Sequence, residues 1–168
     1  MTLALISGRK LLIAFAFAAG ISPAYATVSV SDAAEDRNEA IVREAFEKWG
    51  TGGNVFEILS PDVVWTIHGS GPVTKTYTSL EEFTAEGSRP LVSRLSGALI
   101  PKVHHIWAVD DRVIIRFDAS STTTSGNAYS NQFVWIFRLD DGAVVEAEAF
   151  LDLVAYQEVV DNNEPRTQ

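Results

Sequence analysis

The sequence predicts an α+β fold in which helices come first and a curved antiparallel sheet follows. Apolar residues recur at helical spacing over residues 32–49, and they alternate at strand spacing over most of residues 100–153. Tight-turn residues separate these strands, with no helical pattern between them. Helices followed by a run of strands are typical of an α+β domain rather than a doubly wound sheet.

The first predicted helix begins at Asp32, which forms a capping-box pattern with Glu35, and it ends at the glycines from Gly50 onward. A short helix after Asn54 and a strand over Val63–His68 follow. The later elements predicted before the main sheet are a strand over Val73–Tyr77 and a helix from Ser79 that is interrupted at Gly87 and Pro90.

Four long strands complete the prediction. They cover Ile100–Val109, Arg112–Thr123, a strand from Tyr129 to Leu139, and Val144–Leu153, with a tight turn at Asp140-Asp141-Gly142. Strict alternation along the last two strands places rings, an amide and carboxylates on one face, a mixture that suits the wall of a ligand cavity. The residues assigned to that face are Tyr129, Asn131, Phe133, Trp135, Phe137, Leu139, Val144, Glu146, Glu148, Phe150 and Asp152.

The first 26 residues predict a signal peptide. Arg9 and Lys10 precede an apolar run over Leu11–Ala19, and Ala24-Tyr25-Ala26 ends the segment with small residues at the positions that a signal peptidase reads. A membrane-anchored helix is the competing interpretation, but a span needs about 20 apolar residues. We therefore expect an exported protein, periplasmic or secreted, that starts at Thr27.

The composition of the chain limits which partners and which chemistry can be expected. The chain has 168 residues and a net charge of −9, which becomes −11 without Arg9 and Lys10, so it predicts neither nucleic-acid binding nor attachment to anionic membranes after cleavage. It has no cysteine, which excludes disulfides and a thiolate nucleophile. We expect one domain over residues 38–160, a leader over 27–37 and a flexible tail over 161–168.

The pattern from about Asn38 to Val160 resembles the SnoaL-like branch of the nuclear-transport-factor-2-like superfamily, which also holds ketosteroid isomerases. The resemblance rests on residues 61–67, Gly69, Pro72, Tyr77, Phe83, Tyr129, Asn131, Trp135, residues 141–146 and residues 150–152. It implies a cone-shaped, cystatin-like α+β barrel around an apolar cavity, a small-molecule ligand, no cofactor, and a homodimer through the convex sheet face that carries Val134 and Ile136.

Two residues are candidates for catalysis. Asp152 matches the carboxylate at the end of the family's Phe-x-Asp segment, and an apolar pocket would raise its pKa enough for it to act as a base. The alternative is an Asp that accepts hydrogen bonds from backbone amides near the strand end. His68 lies where the family's cavity border is expected and could shuttle a proton. Its alternative is an edge histidine bonded to solvent or to a loop carbonyl.

The candidate ligand-binding residues form two groups. Tyr77, Tyr129 and Asn131 are predicted hydrogen-bond donors to a ligand oxygen. The predicted ring lining, which also serves as core, consists of Trp49, Trp65, Phe83, Trp135 and Phe150.

The remaining titratable residues are not expected at the site. His104 and His105 are adjacent on a strand, so they should point to opposite faces and cannot share a metal ion. If Phe117 faces inward, Asp118 faces outward. The sequence thus favours cofactor-free isomerase, dehydratase or cyclase chemistry. A non-catalytic carrier or a dimeric interaction module of the exported compartment is the alternative.

Overall fold

The computed structural model describes residues 30–166, so the predicted signal peptide lies outside the described residues. Its helices are α1 (Val30–Gly50), a 3-10 turn (Val55–Ile58), α2 (Leu80–Glu82), a π-helical segment (Phe83–Ser88), α3 (Arg89–Val92) and α4 (Leu153–Asn162). Its strands are β1 (Leu59–Ile67), β2 (Thr76–Tyr77), β3 (Ile100–Val109), β4 (Arg112–Thr122), β5 (Ala128–Asp140) and β6 (Ala143–Leu151). Among these residues no helix is long and apolar enough to cross a membrane.

The strands form one curved, open sheet in the order β2-β1-β6-β5-β4-β3. The α+β prediction is therefore confirmed, with one correction to the expected antiparallel sheet. β1 and β6 run parallel, whereas all other neighbours are antiparallel. A parallel pair needs a long crossover, which the chain between β1 and β6 supplies.

The inner face of the sheet is covered by α1 and by the chain between β2 and β3. Val42, Ala45 and Phe46 of α1 are buried, and the Phe46 ring meets the edge of Phe117 at 4.9 Å. On β5 the inward positions alternate as predicted and are all buried: Tyr129, Asn131, Phe133, Trp135, Phe137 and Leu139. This inner face is therefore the core of the domain.

A β-bulge in β6 reverses the predicted alternation of that strand. Leu139 pairs with Val144 and Arg138 pairs with Glu146, so Val145 is an extra residue. Beyond it, Ala147 and Ala149 point inward, while the positions of Glu146, Glu148 and Phe150 belong to the outer face. The prediction that Phe150 shares the face of Trp135 is therefore wrong.

The C-terminal region contains a helix that the sequence did not predict. β6 ends at Leu151 rather than Leu153, and α4, which the sequence analysis did not predict, follows. Residues 163–166 are hydrogen-bonded: the Arg166 amide donates to the Ser93 carbonyl at 2.8 Å, and Arg94 Nε donates to the Asn163 carbonyl at 2.8 Å. The start of α1 at Val30 likewise places most of the expected leader in a helix.

Candidate functional site

A cavity of about 410 Å³ opens between the inner face of the sheet and the helices that cover it. This volume lies within the usual range of small-molecule sites. Its walls are mostly rings and aliphatic side chains, namely Trp49, Val55, Phe56, Trp65, Ile67, Phe83, Leu91, Phe133, Trp135, Ala149, Leu151 and Tyr156.

Small residues on β6 leave room for this cavity. Ala149 pairs with Trp135 on β5 and with Ile67 on β1, so a methyl group stands between larger side chains of the neighbouring strands. The rings around it pack closely on one another. Trp65 stacks on Phe83 with centroids 3.9 Å apart, and it meets Trp135 edge to face at 5.1 Å. The walls are therefore held by ring packing.

The indole nitrogen of Trp65 is the one buried side-chain nitrogen or oxygen in residues 30–166 without a hydrogen-bond partner there. The residue is 1% exposed. Its ring neighbours include Trp135 and Phe56, both set edge to face, and ring faces accept weak N–H contacts. Trp65 Nε1 is thus a buried donor within a wall made mostly of rings.

The exposed members of the lining mark the mouth of the cavity. Asn54 lies on the loop after α1, Thr84 lies on the π-helical segment, and Val92 and Ala98 lie on the chain that leads to β3. The mouth therefore opens between the loop around residue 54 and the segments around residues 84–92 and 98.

The π-helical segment is shaped by close packing at Gly87. A Cβ atom there would lie 2.8 Å from the Phe83 ring and 3.2 Å from the Tyr77 ring. The Tyr156 hydroxyl donates to the Gly87 carbonyl at 3.1 Å, and burial raises the pKa of Tyr156. Only glycine fits this position without displacing a ring of the wall.

Charged groups are missing from the described lining of the cavity. No carboxylate, imidazole, ammonium or guanidinium group among residues 30–166 lines it. The polar side chains that do so are Asn54, Thr84, Ser88 and Tyr156. The site can enclose an apolar molecule and offer hydrogen bonds, but the described part of the chain presents no carboxylate or imidazole base to it.

Asp152 lies outside the cavity. It is exposed, and its side chain caps α4 by accepting hydrogen bonds from the amides of Val154 at 2.9 Å and Ala155 at 3.1 Å. The expected placement in an apolar pocket is therefore wrong, and the alternative of a backbone-bonded Asp describes the geometry. The residue lies at the strand end as predicted, but that end begins a helix.

His68 also lies away from the cavity lining. Its Nε2 is 2.9 Å from Glu148 Oε2, and its ring stacks on Phe150 at 4.6 Å. Phe150 is 42% exposed on the outer face. The structure thus joins two predicted site residues to each other, but on the opposite side of the sheet from the cavity.

The predicted polar binding residues hold the fold together and do not line the cavity. Tyr77 donates its hydroxyl to the Val73 carbonyl at 2.7 Å. Asn131 Nδ2 donates to the Tyr129 oxygen at 3.0 Å and to the Asp152 carbonyl at 2.9 Å, while its Oδ1 accepts from the Asp152 amide at 3.0 Å. Burial raises the pKa of Tyr129 to about 12. The two bonds between Asn131 and the Asp152 backbone fix the corner between β6 and α4.

Four of the five predicted ring residues do line the cavity: Trp49, Trp65, Phe83 and Trp135. Phe133 also lines it, on the strand face predicted as a cavity wall, whereas Phe56 was not a candidate and Tyr156 was not because α4 was not predicted. The sequence analysis also missed Asn54, Thr84 and Ser88, which carry no signal beyond their helix-boundary positions.

The adjacent residues His104 and His105 lie on the same side of the sheet because β3 has a bulge at this position. Val103 pairs with Phe117 and His105 pairs with Arg116, so His104 is the extra residue. His104 Nε2 lies 2.8 Å from Asp118 Oδ2, and His105 stacks on Trp107. The expectation that adjacent histidines point to opposite faces is therefore wrong.

Asp118 faces outward, as expected from the inward Phe117. Hydrogen bonds from Arg116, at 2.6 Å, and from His104 lower the pKa of the Asp118 carboxyl. Among residues 30–166 no group of three or more potential ligands could hold a metal ion.

Comparisons with known proteins agree with this geometry. The SnoaL-like domain family matches residues 42–147. An NTF2-like protein from Burkholderia thailandensis E264 superposes with a TM-score of 0.60 at 22% identity, over 73% of this chain and 95% of that chain. No curated protein matches the sequence.

Two similar structures were solved with small molecules. TerC, co-crystallised with polyporic acid, has a TM-score of 0.59 at 19% identity over 75% of this chain and 99% of that chain. A protein with a ketosteroid isomerase-like fold from Catenulispora acidiphila DSM 44928, in complex with trimethylamine, has a TM-score of 0.55 at 12% identity over 71% and 92%.

Proposed function

We propose that this chain, which belongs to the SnoaL-like domain family, binds a small uncharged apolar molecule in its cavity and acts as a carrier or binding protein. The observation that carries this proposal is that, within residues 30–166, no carboxylate, imidazole or cationic group lines the cavity. A charged ligand enclosed there would lose hydration without gaining a counter-charge, which is costly in an apolar site.

The geometry favours the carrier over the isomerase, dehydratase or cyclase that the sequence analysis put first. Proton transfer needs a base within hydrogen-bond reach of the reacting atom. Asp152 is committed to the start of α4, and His68 pairs with Glu148 on the outer face. The complexes of TerC with polyporic acid and of the Catenulispora protein with trimethylamine support small-molecule binding on this fold.

Titration with the neutral fluorescent probe N-phenyl-1-naphthylamine tests the proposal. We expect saturable binding to the chain without residues 1–26, because an apolar ring system fits walls of this composition. Ala149→Leu fills the space opposite Trp135 and should weaken binding, whereas Ala143→Leu at the β5–β6 turn should not.

Circular dichroism must show that both variants retain the wild-type spectrum. Absence of saturable binding to the wild-type chain, or equal affinity in a folded Ala149→Leu variant, would contradict the proposed cavity.

Homodimerisation through the outer face stays a prediction, and exposed apolar side chains support it. Trp107 is 48% exposed and Phe150 is 42% exposed, with Val134 and Ile136 half-buried between them. Apolar area of this kind is often covered by a partner. Light scattering after size exclusion should report a dimer that Ile136→Asp converts to a monomer, and a monomeric wild-type chain would remove the prediction.

Export stays a prediction as well. Expression of the full chain in a bacterial host should yield a periplasmic or secreted protein whose intact mass starts at Thr27. A product that retains residues 1–26 would contradict cleavage.

A further inference from the structure

The mouth of the cavity carries polar groups on two opposing lips. Asn54 lies on the loop after α1, while Thr84 and Ser88 lie on the π-helical segment. Deeper in the cavity the walls are rings and aliphatic groups. The site is therefore divided along its depth into an apolar interior and a hydrogen-bonding rim.

The rim groups have unused hydrogen-bonding capacity. Asn54 Oδ1 accepts from the Phe56 amide at 3.0 Å, but its Nδ2 has no partner within residues 30–166. The hydroxyls of Thr84 and Ser88 likewise make no hydrogen bond to any described residue. Tyr156 differs, because its hydroxyl is already bonded to Gly87. The three rim side chains are thus polar groups of the mouth that remain open to a ligand.

The backbone around Thr84 explains why two hydroxyls reach the same lip. The Arg89 amide donates to the Thr84 carbonyl, which closes a π-helical turn, and residues 83, 84, 87 and 88 all line the cavity. Single π-turns are rare and occur frequently at functional sites. This turn brings Phe83 to the interior and the two hydroxyls to the mouth.

Two carboxylates near the lips already have a cationic partner. Glu57 pairs with Lys48, and Glu86 pairs with Lys75 at 2.6 Å. A cationic ligand group would have to compete with Lys48 and Lys75 for these carboxylates, whereas an uncharged group can use the free hydroxyls and the amide.

We propose that the ligand is an uncharged molecule with an apolar body and one terminal hydroxyl or carbonyl group, held at the mouth by Thr84, Ser88 and Asn54. The inference rests on the proposed function, because it assumes that the apolar body enters the cavity. Thr84, Ser88 and Asn54 then determine specificity for the polar end and set the direction in which the ligand enters.

A matched pair of probes tests this inference. Naphthalene and 2-naphthol share an apolar body and differ by one hydroxyl, and tryptophan fluorescence quenching reports the Kd of each. We expect the wild-type chain to bind 2-naphthol about two- to tenfold more tightly, the range of one net hydrogen bond. In Thr84→Val/Ser88→Ala, which retains only the Asn54 amide at the rim, this ratio should fall toward one while the Kd of naphthalene is unchanged. Ser130→Ala, on the outer face, should preserve the wild-type ratio.

The outcomes separate the two proposals. If neither probe binds the wild-type chain, the proposed function fails. If naphthalene binds but the hydroxyl gives no advantage, or if the advantage is undiminished in the folded double variant, the rim assignment is overturned. Should the double variant fail to fold, Asn54→Gly removes the amide donor without adding a charge, and glycine is tolerated at the start of a helical turn. It should then weaken 2-naphthol binding alone, and an unchanged ratio would overturn the inference.

Discussion

The two faces of the sheet divide the chemistry of this chain between them. The inner face holds the rings and alanines that surround the cavity, with no charged lining group among residues 30–166. The outer face holds all three histidines of the sequence and pairs His68 with Glu148 and His104 with Asp118. A titratable residue in this fold is therefore no indication of a catalytic cavity unless the register places it on the inner face.

Two β-bulges produce much of this division. The extra residue Val145 sends Phe150 and Glu148 outward, and the extra residue His104 puts two histidines on the same side. A bulge changes which face every later residue of the strand occupies. The separation of rings from ionisable groups thus depends on single inserted residues.

Replacing one tryptophan on each face gives the largest expected contrast. Trp135→Ala removes a ring that contacts Trp49, Trp65 and Phe117, and it should lower the free energy of unfolding by about 3–5 kcal/mol. Trp107→Ala removes a ring that is 48% exposed, and it should cost less than about 1 kcal/mol in an isolated chain. Urea unfolding measures both, and similar losses would show that the faces are not energetically distinct.

A substitution at Gly87 tests how tightly the inner face is packed. Gly87→Ala forces a methyl group to within 2.8 Å of the Phe83 ring, and it should destabilise the chain by about 1–3 kcal/mol and weaken N-phenyl-1-naphthylamine binding. Gly97→Ala is the matched control, because its new methyl group would meet only Ser121 Oγ at 3.8 Å. Thermal unfolding and titration report the two effects, and equal behaviour of the variants would count against tight packing at Gly87.

Asp152 tests whether a residue beyond the cavity acts on stability alone. Asp152→Ala removes the cap of α4 and should cost about 1 kcal/mol, whereas Asp152→Asn can still accept the amide hydrogen bonds and should cost less. Binding of the fluorescent probe should be unchanged in both. Loss of binding in a folded Asp152→Asn variant would show that Asp152 does contribute to the binding site.

Removing the Glu82 carboxylate gives the smallest expected effect on stability. The Thr78 amide and Lys75 lower the pKa of Glu82 to about 2 from an ordinary 4.5. The folded-state pKa lies below the unfolded one, so this stabilisation is present above about pH 4.5 and is lost as the pH falls toward 2.

The Tm of Glu82→Gln should therefore be lower than that of the wild-type chain at pH 7, with a gap that closes by pH 2. Glu81→Gln, at an exposed neighbour with no partner among residues 30–166, is the control and should show no such gap. A gap for Glu82→Gln that does not change with pH would contradict the pairing.

The fold was more accessible from the sequence than the site. Helical spacing on α1 and alternation on β5 are repeated signals, so Phe46 and Trp135 were placed correctly. Val145 and His104 are single extra residues that reverse the alternation of their strands, and no local sequence pattern predicted them. The site residues therefore changed roles: rings expected mainly as core line the cavity, and the polar Tyr129 and Asn131 support the frame.

The attachment of residues 163–166 has a practical consequence for labelling the protein. The Arg166 guanidinium donates to the Val92 carbonyl at 3.3 Å, and Val92 lies at the opening of the ligand chamber. An affinity tag or a fluorescent fusion appended beyond residue 166 is tethered beside that entrance and can obstruct it. A tag at the first residue would be removed with the predicted leader. A tag inserted at the exposed Ser125–Gly126 turn avoids both problems, provided that the hydrogen bond from Ser125 to Asn163 is kept.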